Sequence, residues 1–253
     1  MFAIHSSVLL VTVLCGAFVQ IAQAAKLPSY ITPCDQDTPD LAGCVRKEIE
    51  NAMPYFSQGV PELGVPSLDP VNLDDINIDG NGLKLIFTHA KMHGIRSSKL
   101  NKLTVDLGNQ EEDFQLGFRA DLSLVAKYKI DGRILILPIQ GQGDALVNAT
   151  NVDVLITSKL SHQKGADGSH FKLISPNYNY TIEKTTFDLR NLFNGNKQLA
   201  ETTLRFANEN WRQLMNDLAP PAIKQIVKTC VKAINKFFAA LPIKDLLKNF
   251  KET

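Results

Sequence analysis

The sequence predicts an α+β fold in which a curled antiparallel sheet with one apolar face wraps amphipathic helices. Three observations predict it. From Phe114 to Ile130 every even-numbered residue is apolar or aromatic, while the odd positions are almost all polar, charged or Gly. That alternation is the signature of a strand with one wet face. An Asp131-Gly132 pair then offers a two-residue hairpin turn into a second long segment of the same character. The last third of the chain changes period, with apolar residues recurring at three- and four-residue steps.

At the N-terminus, Val8 to Val19 is a short apolar run, and Ala22-Gln23-Ala24 supplies the small residues that signal peptidase requires. Residues 1–24 are expected to be a signal peptide, with cleavage before Ala25. A membrane anchor is the alternative, but about 12 apolar residues fall short of the roughly 20 that a bilayer demands. What remains, 253 − 24 = 229 residues, is expected to be a ligand-binding domain over residues 25–253. With 27 Lys+Arg against 26 Asp+Glu, no net field gathers nucleic acid, and no nucleic-acid partner is expected. The lysines between Lys224 and Lys251 alternate with apolar residues and read as the solvated face of helices.

Cys15 leaves with the leader, which leaves Cys34, Cys44 and Cys230. In an oxidising compartment Cys34 and Cys44 are the natural pair, and closing so short a loop contributes roughly 2.5–3 kcal/mol. Cys230 sits among Ile223, Ile226, Val227 and Ile234 and reads as a buried free thiol.

Asp40 is a candidate N-cap for a helix carrying Leu41, Cys44, Val45, Ile49, Ala52, Met53 and Phe56, which Gly59 and Pro61 stop. Gly59 to Pro70 reads as an ordered extended connector, and sheet begins near Ile76, with Leu83 to His93 as a strand. If Asp131-Gly132 is the turn, Tyr128 faces Leu135, Leu124 faces Ile139, and Leu122, Ala120, Phe118 and Phe114 face Gly141, Gly143, Ala145 and Ala149. All these partners are apolar or small. The small ones leave volume that either a helix or a ligand has to fill.

Further strands are expected over Val152–Leu160, His170–Ser175 and Tyr178–Leu189, with a bulge or bend near Asn151 where the apolar phase changes. Lys164 to Gly168 is a polar loop, and His162 and His170 beside it read as solvated. Asn148-Ala149-Thr150 and Asn179-Tyr180-Thr181 are glycosylation sequons. A helix follows on Leu199, Thr203, Phe206, Ala207, Asn210, Leu214 and Leu218. Pro220-Pro221 is expected to break it, a second helix to run to Ala240, and Pro242 to open a short amphipathic tail.

Several segments resemble those of the insect takeout and haemolymph juvenile-hormone-binding family. They are Pro61-Glu62-Leu63-Gly64-Val65-Pro66-Ser67-Leu68-Asp69-Pro70, Asp131-Gly132-Arg133 and Leu137-Pro138-Ile139-Gln140-Gly141-Gln142-Gly143. Asn191-Leu192-Phe193-Asn194-Gly195-Asn196-Lys197, Asn208-Glu209-Asn210-Trp211 and the early cysteine pair are similar too. The resemblance implies a long helix wrapped by a highly curved antiparallel sheet with an internal hydrophobic tunnel, as in tubular lipid-binding proteins. It implies a secreted, extracellular carrier of an elongated apolar molecule: a terpenoid hormone, odorant, fatty acid or quinone. A second disulfide, expected in haemolymph hormone carriers, has only Cys230 to supply it, so the chain looks more like takeout. Candidate lining residues are Phe114, Leu116, Phe118, Leu122, Leu124, Tyr128, Leu135, Leu137 and Ile139, with Phe206 from the helices. Tyr128 alone offers a polar handle.

An enzyme is the first rival reading, and the usual constellations are absent from the sequence: no Gly-x-Ser-x-Gly, no His-Glu-x-x-His and no P-loop. His89 and His93 on a strand lie about 13 Å apart and share no metal. Asp74-Asp75 and Glu111-Glu112-Asp113 read as solvated carboxylates. No cofactor, no metal and no catalysis are expected, and a monomer is. A lipid- or membrane-surface binder, of an antimicrobial kind among others, is the second rival, using Lys224 to Lys251 with Phe237-Phe238. A carrier is not expected to bind membranes.

Overall fold

The computed structural model describes residues 25–105 and 111–251, so the expected leader lies outside it. The first strand, β1 (Cys34–Asp35), leads into α1 (Leu41–Phe56). Asp40 caps α1 as its position predicts, its carboxylate accepting the N–H of Gly43 at 2.9 Å. The Cys34–Cys44 disulfide staples β1 to the first turn of that helix.

The sheet comprises β2 (Val71–Asn72), β3 (Ile76–Gly80), β4 (Leu83–His93), β5 (Lys99–Thr104), β6 (Glu111–Ile134), β7 (Leu137–Lys164), β8 (Ser169–Thr181) and β9 (Lys184–Leu189). A β6–β7 ribbon forms its spine. On one side β4 and β5 share β6, with β2 and β3 beyond β4; on the other, β8 and β9 share β7. Strands of 24 and 28 residues would run roughly 80–90 Å if straight, which no sheet of this twist sustains.

The alternation in β6 places its even residues inward as expected: Phe114, Leu116, Leu122, Leu124, Ala126, Tyr128 and Ile130 are all buried. The hairpin turn, however, is not Asp131-Gly132. β6 continues to Ile134, which pairs with Leu137 across a turn at Leu135-Ile136. Tyr128 therefore faces Gly143 rather than Leu135, a displacement of 143 − 135 = 8 residues. An even displacement keeps every side chain on its own face, so the apolar pattern fits both registers equally well. Gly132 stays inside the strand at φ 124°, where it admits the carbonyl of Gly82. Gly82 belongs to the Asn81-Gly82 turn joining β3 to β4, a hairpin with both turn residues at positive φ.

The bulge expected near Asn151 is present. Asn151 adopts φ 47°, the β6–β7 register slips between Ala120 and Leu122, and beyond it Val152, Ile156 and Leu160 of β7 face inward. The segment expected as one strand over Tyr178–Leu189 is divided between the end of β8 and β9. Both lie against β7, at different stretches of its length.

The helical third comprises α2 (Lys197–Glu209) and α3 (Trp211–Ala240). The break falls at Asn210, not at the two prolines, which lie inside α3. Asn210 itself ends α2, its amide donating to the Phe206 carbonyl at 2.9 Å. Pro220 and Pro221 remove two helical N–H donors. The helix continues because Ala219 and Ile223, on either side, are anchored in the core. After α3 come α4 (Ile243–Leu246) and β10 (Leu247–Lys248), which pairs in parallel with β1 and joins the two ends of the chain.

Contacts from α3 reach β3 on one margin of the sheet and β8 and β9 on the other, so the sheet curls around that helix. Two helical asparagines seal the β8 and β9 margin. Asn235 accepts the N–H of Leu173 at 2.8 Å and donates to its carbonyl at 3.0 Å. Asn208 does the same to Phe187 at 2.7 and 3.1 Å. Each side chain stands in for a neighbouring strand and satisfies an edge that would otherwise be open. Asn235→Ala leaves the Leu173 groups unpaired, and urea denaturation is expected to show a loss of about 2–3 kcal/mol. An unchanged midpoint would mean that water replaces the amide without cost.

Candidate ligand-binding cavity

Between the curled sheet and the helices lies an apolar cavity of about 290 Å³. Val45, Ile49, Ala52, Met53 and Phe56 of α1 form one wall, and Ile226, Val227, Cys230, Ile234, Phe237 and Phe238 of α3 another. The sheet supplies Phe114, Leu116, Phe118, Ala120 and Leu122 from β6, Val152, Val154, Ile156 and Leu160 from β7, and Phe171 from β8. Protein interiors rarely leave voids larger than a water molecule. An apolar space of about 290 Å³ is far larger than that. Its size is at the lower bound of ordinary small-molecule sites, roughly 300–1,000 Å³.

A second apolar cavity, of about 60 Å³, lies further along, lined among others by Phe87, Leu124, Val147, Phe187 and Met215. Leu122 and Val152, flanking the Asn151 bulge, line both cavities. Of the ten sequence-derived candidates, Phe114, Leu116, Phe118 and Leu122 meet at the large cavity and Leu122 and Leu124 at the small one. Tyr128, Leu135, Leu137, Ile139 and Phe206 line neither.

The reason is a segment that the sequence reading did not place. The chain from Arg190 to Leu192 lies against Gly141 and Gly143, so closely that a Cβ would come within 2.9 Å of Leu192 Cα at the first and 2.4 Å of the Arg190 carbonyl oxygen at the second. The volume left by Gly141 and Gly143 is thus filled by backbone, while Ala149 lines the small cavity. Tyr128 donates its hydroxyl to the Arg190 carbonyl at 2.8 Å, and burial pushes its pKa up to about 12. Its polar handle belongs to this packing. The lining residues missed on α1 and α3 carried a signal, the amphipathic stripes, but a stripe facing core and one facing a cavity have the same composition.

Cys230 has measurable accessible surface yet is enclosed by protein, because its free surface faces the cavity; desolvation pushes its thiol up to about 12. Among the described residues, no group of three His, Cys, Asp or Glu side chains is placed to hold a metal ion, and no helix is long and apolar enough to cross a membrane.

The sequence model of the haemolymph juvenile hormone binding protein family matches residues 8–248. The chain belongs to this family. A circadian clock-controlled protein, daywake, of Drosophila melanogaster is 30% identical over 209 residues, covering 78% of this chain and 79% of its own. Daywake of Drosophila yakuba is 29% identical over 216 residues, covering 81% and 83%. The crystal structure of Epiphyas postvittana Takeout 1 superimposes with a TM-score of 0.78 at 28% identity, covering 86% of this chain and all of that one. The α+β fold with its curled antiparallel sheet is therefore that of the juvenile-hormone-binding family.

The segments that carry the family resemblance prove to be mostly scaffold. Asp69 accepts the N–H groups of Gly94 and Arg96, fixing the connector to the sheet. Gly141 and Gly143 admit the Arg190–Leu192 backbone, Asn196 caps α2, and Asn208 docks on β9. Of the residues that carry the resemblance, only Leu68, in the connector, and Cys34, of the disulfide, reach the large cavity.

At the α3 end of the cavity, His170 is buried rather than solvated. Its Nδ1 lies 2.9 Å from the Phe238 carbonyl and its Nε2 2.8 Å from Asp167 Oδ1. Both partners only accept, so both contacts are hydrogen bonds only when the ring is the doubly protonated imidazolium. Burial pushes the pKa down, but the bonds to Asp167, Phe238 and Leu241 outweigh it and hold it above the ordinary histidine value. A pKa raised in the folded state gives stability that is complete below about pH 6.5 and lost as pH rises through the folded value. Denaturation of the wild type is expected to show stability falling as pH rises through that range, and His170→Gln to abolish the fall. Parallel profiles for the two proteins would contradict the assignment.

Proposed function

We propose that this member of the family is a secreted, non-catalytic carrier that holds one elongated, mostly apolar small molecule in the large cavity. The observation that carries the proposal is the cavity itself: about 290 Å³ bounded by apolar side chains from α1, α3 and the sheet. Binding there is expected to be driven by burial of apolar surface, and so to select by shape and length. On this reading the small cavity is the inner end of the same tunnel, closed off by Leu122 and Val152, and opens for a longer ligand. The family's description as hormone-binding proteins supports a terpenoid or a molecule of similar shape. Secretion is supported by the leader expected over residues 1–24 and by the Cys34–Cys44 disulfide. Of the two sequons, Asn179 is the more accessible; Asn148 is half-buried and its Oδ1 accepts from Ser123.

The membrane-surface alternative needs Phe237 and Phe238 on the outside. Phe237 is buried, and both line the cavity. The test is a titration with the neutral probe N-phenyl-1-naphthylamine, followed by farnesol, and a parallel sedimentation with vesicles of phosphatidylcholine and phosphatidylserine. A carrier gives saturable fluorescence at one equivalent, displacement by farnesol, and no protein in the vesicle pellet. No saturable fluorescence, or pelleting that grows with phosphatidylserine, would overturn the assignment.

A further inference from the structure

Among the described residues, the lining of the large cavity holds a single side chain that carries a full charge, Glu48. It sits on α1 one turn after Val45 and one turn before Ala52, on the face that α1 turns to the cavity. Its Oε2 accepts the backbone N–H of Thr32 at 2.8 Å, which fixes the carboxylate in place. An ionised carboxylate offers about four acceptor sites, so one such bond leaves most of them free. Among the described residues no cation pairs with it: the neighbouring Arg46 is directed to Glu50 and to the Leu100 carbonyl, and Lys47 is exposed.

The hydroxyl-bearing side chains at the cavity, Thr32 and Ser98, come from the N-terminal arm and from the segment just after a 3₁₀ turn (Ile95–Ser97) that packs on α1. Thr32 is exposed, so here the cavity meets solvent. Among the described residues every other wall is apolar apart from the thiol of Cys230. The site therefore has one polar, anionic mouth and one apolar interior.

We propose that Glu48 sets the head-group specificity of the carrier. The ligand lies with its apolar chain inward and its polar end at the mouth, and that end donates hydrogen bonds: a long-chain alcohol or a protonated amine, not a fatty-acid anion. This rests on the carrier reading above. A carboxylate head would meet the like charge of Glu48 at the mouth, whereas an alkylammonium would gain the same interaction with opposite sign.

The experiment uses three sixteen-carbon ligands with identical chains, hexadecanol, hexadecylamine and hexadecanoate, each competing with N-phenyl-1-naphthylamine. Wild-type protein is expected to release the probe at amine and alcohol concentrations on the order of tenfold below that of the carboxylate. Glu48→Gln keeps an acceptor for the Thr32 N–H but removes the charge. It is expected to close the gap between amine and carboxylate when each is read relative to that variant's own probe affinity. Equal potency of the three ligands in the wild type, or a gap that persists in Glu48→Gln, overturns the proposal while leaving the carrier reading intact. A wild-type protein that fails to take up the probe at all overturns the carrier reading, and with it this inference.

Discussion

Replacing both Ala120 and Val154 with Phe is expected to weaken binding of a neutral apolar probe by about a hundredfold, and to leave the ligand-free protein as stable as before or more so. Both residues are on the inner face of the β6–β7 ribbon and line the large cavity, and Val154 lies directly across from Phe118. In a filled core, adding rings of this size forces strain of roughly 1–3 kcal/mol. Here the rings have empty volume to enter, and each stretch of void they fill recovers contacts that the bare lining lacks. The two effects have opposite signs, so probe titration and thermal denaturation together separate them. Loss of binding with retained stability identifies a cavity; loss of both would mean that the volume is already occupied by side chains in solution.

The second large effect concerns the frame. Gly132→Ala is expected to cost about 3 kcal/mol or more, because the new methyl group has nowhere to go and the backbone is in a conformation that L-residues avoid. A Cβ at this position would lie 2.1 Å from the Gly82 carbonyl oxygen, a backbone atom, and φ is 124°. Gly80 is the control: nothing lies within 4 Å of a Cβ there and its φ is not positive. Gly80→Ala is expected to change stability by no more than about 0.5 kcal/mol. Similar midpoints for the two variants in urea would show that the approach of the β3–β4 turn to β6 is not needed for the fold.

Much of this architecture can be read from the chain because local chemistry and global structure agree. Asp40 defines the start of α1 to the residue, and the apolar stripe runs to its last residue, Phe56, ahead of the stop signals at Gly59 and Pro61. The alternation from Phe114 to Ile130 gives the inner face of β6, and the phase change after Ala149 gives the bulge at Asn151. What fails are the points where two local readings are equivalent. Asp131-Gly132 and Asn81-Gly82 are both good hairpin turns by composition, yet only the second is one; in the first, Gly serves a close approach from a distant segment. The register of β6 against β7 is underdetermined, since any even slip preserves the faces. Pro220-Pro221 would end an isolated helix, and only tertiary anchoring of the residues around them carries α3 through.

The cavity shows the same division. Phe114 and Tyr128 share one face of one strand and look alike in the sequence, yet Phe114 lines the cavity while Tyr128 is packed under the Arg190–Leu192 backbone. Whether an apolar face meets core or void depends on what lies opposite, and for β6 that is decided by segments more than fifty residues away. The candidates nearest α1 thus lie at the cavity, and those nearest the hairpin tip do not. Glu48 left a trace of a different kind: a carboxylate on the apolar face of α1, flanked by Val45 and Ile49, which a solvated-face reading of the helix passes over.

The most direct test of the carrier assignment is mass spectrometry of an organic extract from the mature protein, secreted by insect cells and purified without detergent. The account predicts a single elongated apolar species near one equivalent, absent from the Ala120→Phe, Val154→Phe variant prepared in the same way. An extract empty of any such species, from wild-type protein that also fails to take up farnesol or hexadecanol, would contradict it.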